Sequence, residues 1–186
     1  MKKQAMLILI IGIPGSGKST LARETKDMNW ANGQGARIRE TDEYFVDPHT
    51  HEYNFDPSKL AEYHAECQKG TKRDLEMGYN VIVSNTNLTK WERKHYFDIA
   101  RDTKSSVILI IMRKNHGNIH GIPKEKIEQM QDKFEEVSSD EFTGIDNVTF
   151  LTEEEVRKYN IRYGADYDEK FFNQMQQASD QWKGND

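Results

Sequence analysis

The stretch 12–20, Gly-Ile-Pro-Gly-Ser-Gly-Lys-Ser-Thr, constrains this chain more than any other. It fits G-x-x-x-x-G-K-[ST], and its surroundings give the pattern its weight. Residues 6–11 ahead of it (MLILII) are apolar without interruption and end at Gly12, as in a strand buried on both faces of a parallel sheet. Residues 18 to about 28 behind it read as a helix. Strand, glycine turn and helix in that order make the loop a phosphate cradle. Gly15 and Gly17 let the backbone curl so that its N–H groups face phosphate oxygens. The helix N-terminus adds its partial positive charge. Lys18 is expected to reach the β- and γ-phosphates of ATP, and Ser19 to ligate Mg²⁺. The expected ATP-binding residues are Gly12, Pro14, Gly15, Ser16, Gly17, Lys18, Ser19 and Thr20.

The rest of the chain supplies alternating strands and helices. Residues 37–39 form a short strand, 80–83 (NVIV) a second buried one and 107–112 (VILIIM) the strongest, with a further strand at 148–151. Asp56 as cap, Pro57 as first helical residue and Gly78 at the end delimit a helix, with Leu60, His64, Cys67, Thr71 and Leu75 on one stripe. Gly70 weakens that helix. Thr89-x-x-Glu92 is a capping box opening a helix over 89 to about 103, with Trp91, Tyr96, Ile99 and Ala100 inward. Residues 123–137 form another, with Ile127, Met130 and Phe134 inward. This order predicts an α/β domain with a parallel sheet. The loop 114–123 (KNHGNIHGIP) has the composition of a mobile segment.

No run approaches the roughly 18–20 apolar residues of a membrane span, and residues 5–11 resemble neither a span nor a signal peptide. One cysteine, Cys67, excludes an intrachain disulfide and a cysteine-rich zinc site. A soluble, cytoplasmic protein is expected. The net charge of -5 argues against a general DNA-coating protein. That charge is uneven: residues 1–134 hold 21 basic and 18 acidic side chains, and residues 135–186 hold 5 and 13. The acidic balance therefore belongs to the tail. A domain over 1–151 and an acidic, helical extension over 152–186 are expected, the latter open to a protein partner.

Several users of a phosphate loop are disfavoured. The chain lacks an N-K-x-D guanine motif and an LSGGQ signature. Its second buried strand runs into Ser84 and Asn85 instead of the acidic pair of a motor ATPase. Asp42 is the better acid. Strand ends converge on one crevice in an open α/β sheet, so a carboxylate after the 37–39 strand would face the γ-phosphate. There it could accept a proton from an attacking hydroxyl or hold Mg²⁺ through water. Phosphoryl transfer needs little covalent help beyond such a base and cation clamps. Glu43 reads as solvated.

The residues GIPGSGKST at 12–20, DEYF at 42–45, His64 with Cys67, VIVSNTNL at 81–88 and HGIPKEKIEQM at 120–130 resemble the polynucleotide-kinase-like group of P-loop kinases. That group includes the bacteriophage polynucleotide 5′-hydroxyl kinase and the P-loop domain of Nedd-type ubiquitin-ligase-binding proteins. The likeness covers roughly residues 5–135. It implies a three-layer P-loop fold with a five-stranded parallel sheet, helices on both faces and a lid over about 114–122. It implies Asp42 as general base, residues 84–87 at the acceptor site, and Arg113 with the loop after it as lid. Two positions depart from the phage enzyme. Phe45 stands where its arginine follows the base, and Asn85 where its VISDTN-like segment has a carboxylate. Kinase chemistry therefore carries over better than 5′-end specificity.

Other candidates are read against plainer roles. Arg113 is expected to clamp phosphate, less so Lys114. His116 and His120 read as solvated loop residues, with His120 also a possible acceptor contact. His49 and His51 flank a turn more than a metal. His64 and Cys67 read as buried and satisfied. Tyr44 and Phe45 are expected to touch the acceptor, and Asn85 and Asn87 to orient it without charge. The whole predicts a kinase moving the γ-phosphate of ATP to a hydroxyl on a polynucleotide, either a 5′-hydroxyl or a hydroxymethylated base of phage-like DNA. A small-molecule kinase for a nucleoside, sugar or antibiotic, and a nucleotide-responsive binding module, are the alternatives.

Overall fold

The computed structural model describes residues 4–26, 35–114, 116 and 122–156. Among them, five parallel strands pair in the order β2-β3-β1-β4-β5. They are β1 (Met6–Gly12), β2 (Ala36–Arg39), β3 (Asn80–Val83), β4 (Ser106–Met112) and β5 (Val148–Thr152). Four helices accompany them: α1 (Lys18–Lys26), α2 (Leu60–Glu76), α3 (Lys90–Thr103) and α4 (Lys124–Asp132). The strands and helices fall where the apolar runs and caps place them, within a few residues.

β1 is central, with Leu7 level with both Val81 of β3 and Val107 of β4. Its side chains alternate between two cores. Ile8 and Ile10 pack with Leu21 and Ala22 of α1 and with Val156. Leu7, Leu9 and Ile11 pack with Leu75 of α2 and with Tyr96, Phe97 and Ala100 of α3. A strand covered on both faces has no polar side to alternate, hence the continuous MLILII. Each such side chain contributes about 1.5–3 kcal/mol relative to exposure. A third cluster joins Ile13 of the glycine loop, Leu88 and Ile127 of α4. It seats the loop against the helix that follows the 114–123 segment.

Local expectations need three corrections. Trp91 is 70% exposed and meets His95 edge-on; Arg93 and Phe97 are on the buried face of α3. α4 ends at Asp132, so Phe134 packs inward from the segment after the helix. Residues 57–59 form a 3₁₀ turn before α2, with Asp56 Oδ1 accepting from the Ser58 N–H at 2.9 Å. The capping box is as expected: Thr89 Oγ1 accepts from Glu92 N–H, and the Glu92 carboxylate from Thr89 N–H.

Gly70, the weak point of α2 in sequence, has a positional reason. A Cβ there would sit 3.3 Å from the Arg39 guanidinium. Arg39 crosses that spot to reach the fully buried Asp74, which Arg37 also pairs at 2.8 Å. The edge strand β2 is thereby pinned to α2.

A second buried ion pair closes the other side. Arg93 is wholly buried and donates to Glu141 at 2.7 and 2.9 Å, and also to the carbonyls of Asn87 and Leu88. Removing one partner of such a pair costs about 3–5 kcal/mol, whereas replacing both by apolar residues can be neutral. Arg93→Met is therefore expected to lower stability by roughly 3–5 kcal/mol in urea unfolding. The double variant Arg93→Met/Glu141→Leu should recover a large part of that loss; equal losses would show that the carbonyl contacts, not the ion pair, dominate.

Candidate active site

The glycine loop, the exit of β2 and the exit of β3 meet at one end of the sheet. Gly15 and Gly17 have φ of 79° and 88°, the left-handed region that glycine tolerates. At Gly12 the constraint is space, since a Cβ would lie 2.7 Å from both the Met112 carbonyl and Ser16 Oγ. The loop closes on itself through Ser16 N–H to the Ile13 carbonyl, and Leu21 N–H bonds the Gly17 carbonyl. Pro14 and Ser19 are half-buried, and Thr20 is exposed on the first turn of α1. Ser16 Oγ and Asn87 Nδ2 are buried and have no hydrogen-bond partner among the described residues.

Lys18 is 8% exposed, and its Nζ donates to the Ile13 carbonyl at 2.9 Å. Burial lowers its pKa to about 8, against the opposing pull of Asp42 and then Glu40. Both carboxylates therefore lie within electrostatic reach of the ammonium. Asp42 is exposed on the 3₁₀ turn Thr41–Phe45, at the exit of β2. Tyr53 lies within electrostatic reach of it; burial first and Asp42 second push that phenol's pKa up.

Glu40 was not singled out in the sequence, although it directly follows β2 and obeys the same strand-end logic as Asp42. The Ser84 hydroxyl donates to its carboxylate. Nearby Glu43 is pushed up by burial first and by Glu40 second, with Arg39, Lys26 and Arg23 pulling it down.

Ser84 and Asn85 leave β3 without an acid, and Asn85 is committed to the scaffold. Its Oδ1 accepts from Thr41 N–H at 2.8 Å. Its Nδ2 donates to the Tyr96 hydroxyl at 2.9 Å and to Cys67 Sγ at 3.6 Å. Asn85 thus anchors the turn that carries Asp42. His64 Nδ1 lies 3.1 Å from Thr41 Oγ1. Burial lowers its pKa, while Glu92 and Asp42 oppose the shift, so the ring is neutral at pH 7. Burial likewise pushes the Cys67 thiol up. The expected packed His64–Cys67 pair is therefore a wall of this turn. Asn87 is buried with φ 46°, and its carbonyl accepts from Arg93.

The aromatic residues divide. Phe45 is 4% exposed, and Tyr53, Phe55 and Tyr63 pack on it with ring centroids 4.7–6.1 Å away. Tyr44 stacks on Tyr63. Of the rings packed on Phe45, Tyr53 and Phe55 are open to solvent, 49% and 52% exposed. Arg113 Nη2 donates to both carboxylate oxygens of Glu136, at 2.8 and 3.0 Å, and the guanidinium lies over the Phe134 ring. His120, residues 115 and 117–121 of the expected lid, and residues 157–186 of the expected tail lie outside the described residues. His116 N–H donates to the Gly15 carbonyl. Asp47 accepts from the N–H groups of His49 and Thr50, a turn as expected, and no group of three metal-ligating side chains occurs among the described residues. Among these residues, no helix is long and apolar enough to cross a membrane.

The family model described as chromatin associated protein KTI12 matches residues 6–181. Human NEDD4-binding protein 2 is 34% identical over 143 residues; the match takes in 70% of this chain and 8% of that much longer protein. Two solved structures share the fold. Chaetomium thermophilum Kti12, in complex with ADP-AlF3, aligns with a TM-score of 0.57 and 16% identity over 84% of this chain and 96% of its own. A gluconokinase from Sinorhizobium meliloti aligns with a TM-score of 0.52 and 14% identity over 100% of both chains. The fold is that of P-loop kinases. The family matched is KTI12, not specifically the phage 5′-hydroxyl kinase that shares the motifs.

The buried ammonium makes a prediction. Between pH 8 and 10.5 the folded chain holds fewer protons at Lys18 than the unfolded chain, so stability rises with pH across that window. Below pH 8 the full cost of burying the charge stands, about 3 kcal/mol. Lys18→Met is therefore expected to melt higher than the parent at pH 7, by an amount that shrinks toward pH 10.5. A variant that melts lower at pH 7 would show that the bond to Ile13 outweighs the burial cost.

Proposed function

The chain belongs to the KTI12 family, and from that footing we propose that it is an ATP-dependent kinase that phosphorylates a hydroxyl. One observation carries the proposal. The buried Lys18 ammonium and the exposed Asp42 carboxylate share the mouth of the glycine loop. A cation for the transferring phosphate beside a base for the acceptor proton is the minimum that phosphoryl transfer requires.

In this reading Gly12, Pro14, Gly15, Ser16, Gly17, Lys18, Ser19 and Thr20 hold ATP, as the ADP-AlF3 in the fungal Kti12 structure supports. The buried Ser16 Oγ without a partner fits a loop built around a polar ligand. The oxygen donors Ser19 and, through water, Asp42 suit Mg²⁺, which prefers one or two carboxylates plus phosphate oxygens. Mg²⁺ would neutralise charge on the phosphates. Asp42 takes the acceptor proton, with Tyr53 close by.

The proposed acceptor is a hydroxyl on a polynucleotide. The open rings of Tyr53 and Phe55, packed on Phe45 of the Asp42 turn, support it, since a base stacked on an aromatic side chain gains about 1–3 kcal/mol. They take over the acceptor contact assigned from sequence to Phe45, whose ring is covered. Asn87 remains a proposed acceptor contact, as does His120; Asn85 acts through the Asp42 turn. A second reading is a nucleotide-responsive binding module, favoured by the lack of an acid at Ser84 and Asn85.

The test uses γ-labelled ATP with 5′-hydroxyl oligonucleotides, modified-base DNA, nucleosides and sugars. Label is expected on a polynucleotide. Asp42→Asn should keep ATP binding while lowering transfer at least about 10²-fold. Lys18→Ala should abolish transfer. Tight ATP binding with no labelled acceptor would favour the module, and label on a nucleoside or sugar alone would move the acceptor class.

A further inference from the structure

We propose that Glu40 is the carboxylate for the divalent cation of the bound nucleotide, the position that β3 leaves without an acid. The proposal rests on the nucleotide-binding part of the reading above and goes beyond it in assigning the cation's protein ligand.

The argument begins with register. In P-loop sites the cation is held by the loop's Ser or Thr and by an acid at the end of a neighbouring strand. Here that strand is β3, which lies between β1 and β2. Its first residues past the sheet are Ser84 and Asn85, neither of them acidic. Asn85 is also spent, with Thr41 on one side of its amide and Tyr96 on the other.

Arg39 of β2 is level with Val83 of β3. Glu40 and Ser84 are therefore the first residues past the last registered pair, side by side. The Ser84 hydroxyl donates to Glu40 Oε1. That bond draws the carboxylate toward β3 and leaves the second oxygen outside it. A glutamate side chain is one methylene longer than an aspartate, which suits reaching in from the next strand. Glu40 is also within electrostatic reach of Lys18. Independently, Ser16 Oγ in the loop is buried without a partner among the described residues, as expected of a cradle built for a polar ligand.

The two carboxylates then divide the chemistry. Asp42 is exposed and lies near Tyr53, on the proposed acceptor side. Glu40 is half-buried and bonded to Ser84, on the side of β3 and β1. A proton acceptor needs access to the incoming hydroxyl, whereas a cation ligand needs a fixed oxygen near the phosphates.

The experiment measures the affinity of a fluorescent ADP in EDTA and in Mg²⁺, with Mn²⁺ electron paramagnetic resonance as a direct readout of the cation. In the parent, the cation should tighten binding and the Mn²⁺ signal should become protein-bound with nucleotide. Glu40→Gln keeps an oxygen that can accept from Ser84, so the fold is preserved. It is expected to weaken cation-dependent binding at least about tenfold. Ser84→Asp placed on the Glu40→Gln background should return part of the Mg²⁺ response by putting an acid on β3. An undiminished Mg²⁺ gain and Mn²⁺ signal in Glu40→Gln would overturn the proposal while leaving the kinase reading intact. Failure of the parent to bind the nucleotide at all would overturn both. Loss of transfer in Asp42→Asn with an unchanged Mn²⁺ signal would support the division of roles.

Discussion

The residues 84–88 after β3 bond to the glycine loop, to the exit of β2, to α3 and to the segment after α4. The Thr86 carbonyl accepts from Gly12 N–H at the start of the glycine loop. Asn85 accepts from Thr41 N–H in the turn of Asp42. Ser84 holds Glu40, and the carbonyls of Asn87 and Leu88 accept from Arg93. The Leu88 carbonyl also accepts from Glu135 N–H. Ser84, Asn85, Asn87 and Leu88 are each less than a tenth exposed. A buried backbone or amide group left unpaired costs about 1–3 kcal/mol. The geometry at the sheet's end is therefore set by polar satisfaction at least as much as by apolar packing. A segment that reads in sequence as a loop of amides and hydroxyls is the most tightly bonded part of the site.

Charge at the loop's mouth follows from the same arrangement. The fold buries Lys18 and lets a backbone carbonyl hold it, so the ammonium is destabilised where it sits. A ligand carrying negative phosphates offers that group a better partner than Ile13. Stability is thus withheld from the empty site and returned on binding, which is the general cost of a preorganised electrostatic site.

Much of this was readable in the chain. β1, β3 and β4 have no polar face, and a run such as VILIIM has few other destinations. The capping box at Thr89 and Glu92 and the Asp56–Pro57 start depend on contacts within four residues, so they too were legible. What failed to show was non-local or non-periodic. Arg93 and Glu141 are 48 residues apart, and a buried ion pair has the residue types of a solvated face. Trp91 was placed inward because its chemistry suited the stripe, yet the stripe was already filled by Arg93 and Phe97. Glu40 escaped notice because Asp42 stood two residues away with a more familiar surrounding motif. Asn85 and Phe45 occupy the site's neighbourhood as expected, but sequence position does not tell an inward-facing side chain from one facing a ligand.

The central place of β1 shapes how the domain is made. Both its neighbours, β3 and β4, come from much later in the chain, with Leu7 level with Val81 on one side and Val107 on the other. Such pairing closes long loops before any hydrogen bond rewards it, which slows folding. During synthesis MLILII emerges well before the strands that cover it and must wait as an uncovered apolar hexapeptide, a form prone to aggregation. The glycine loop is in the same condition, since Gly12 finds its partner Thr86 only when β3 arrives. The phosphate cradle therefore cannot close until Thr86 has followed Gly12 out of the ribosome.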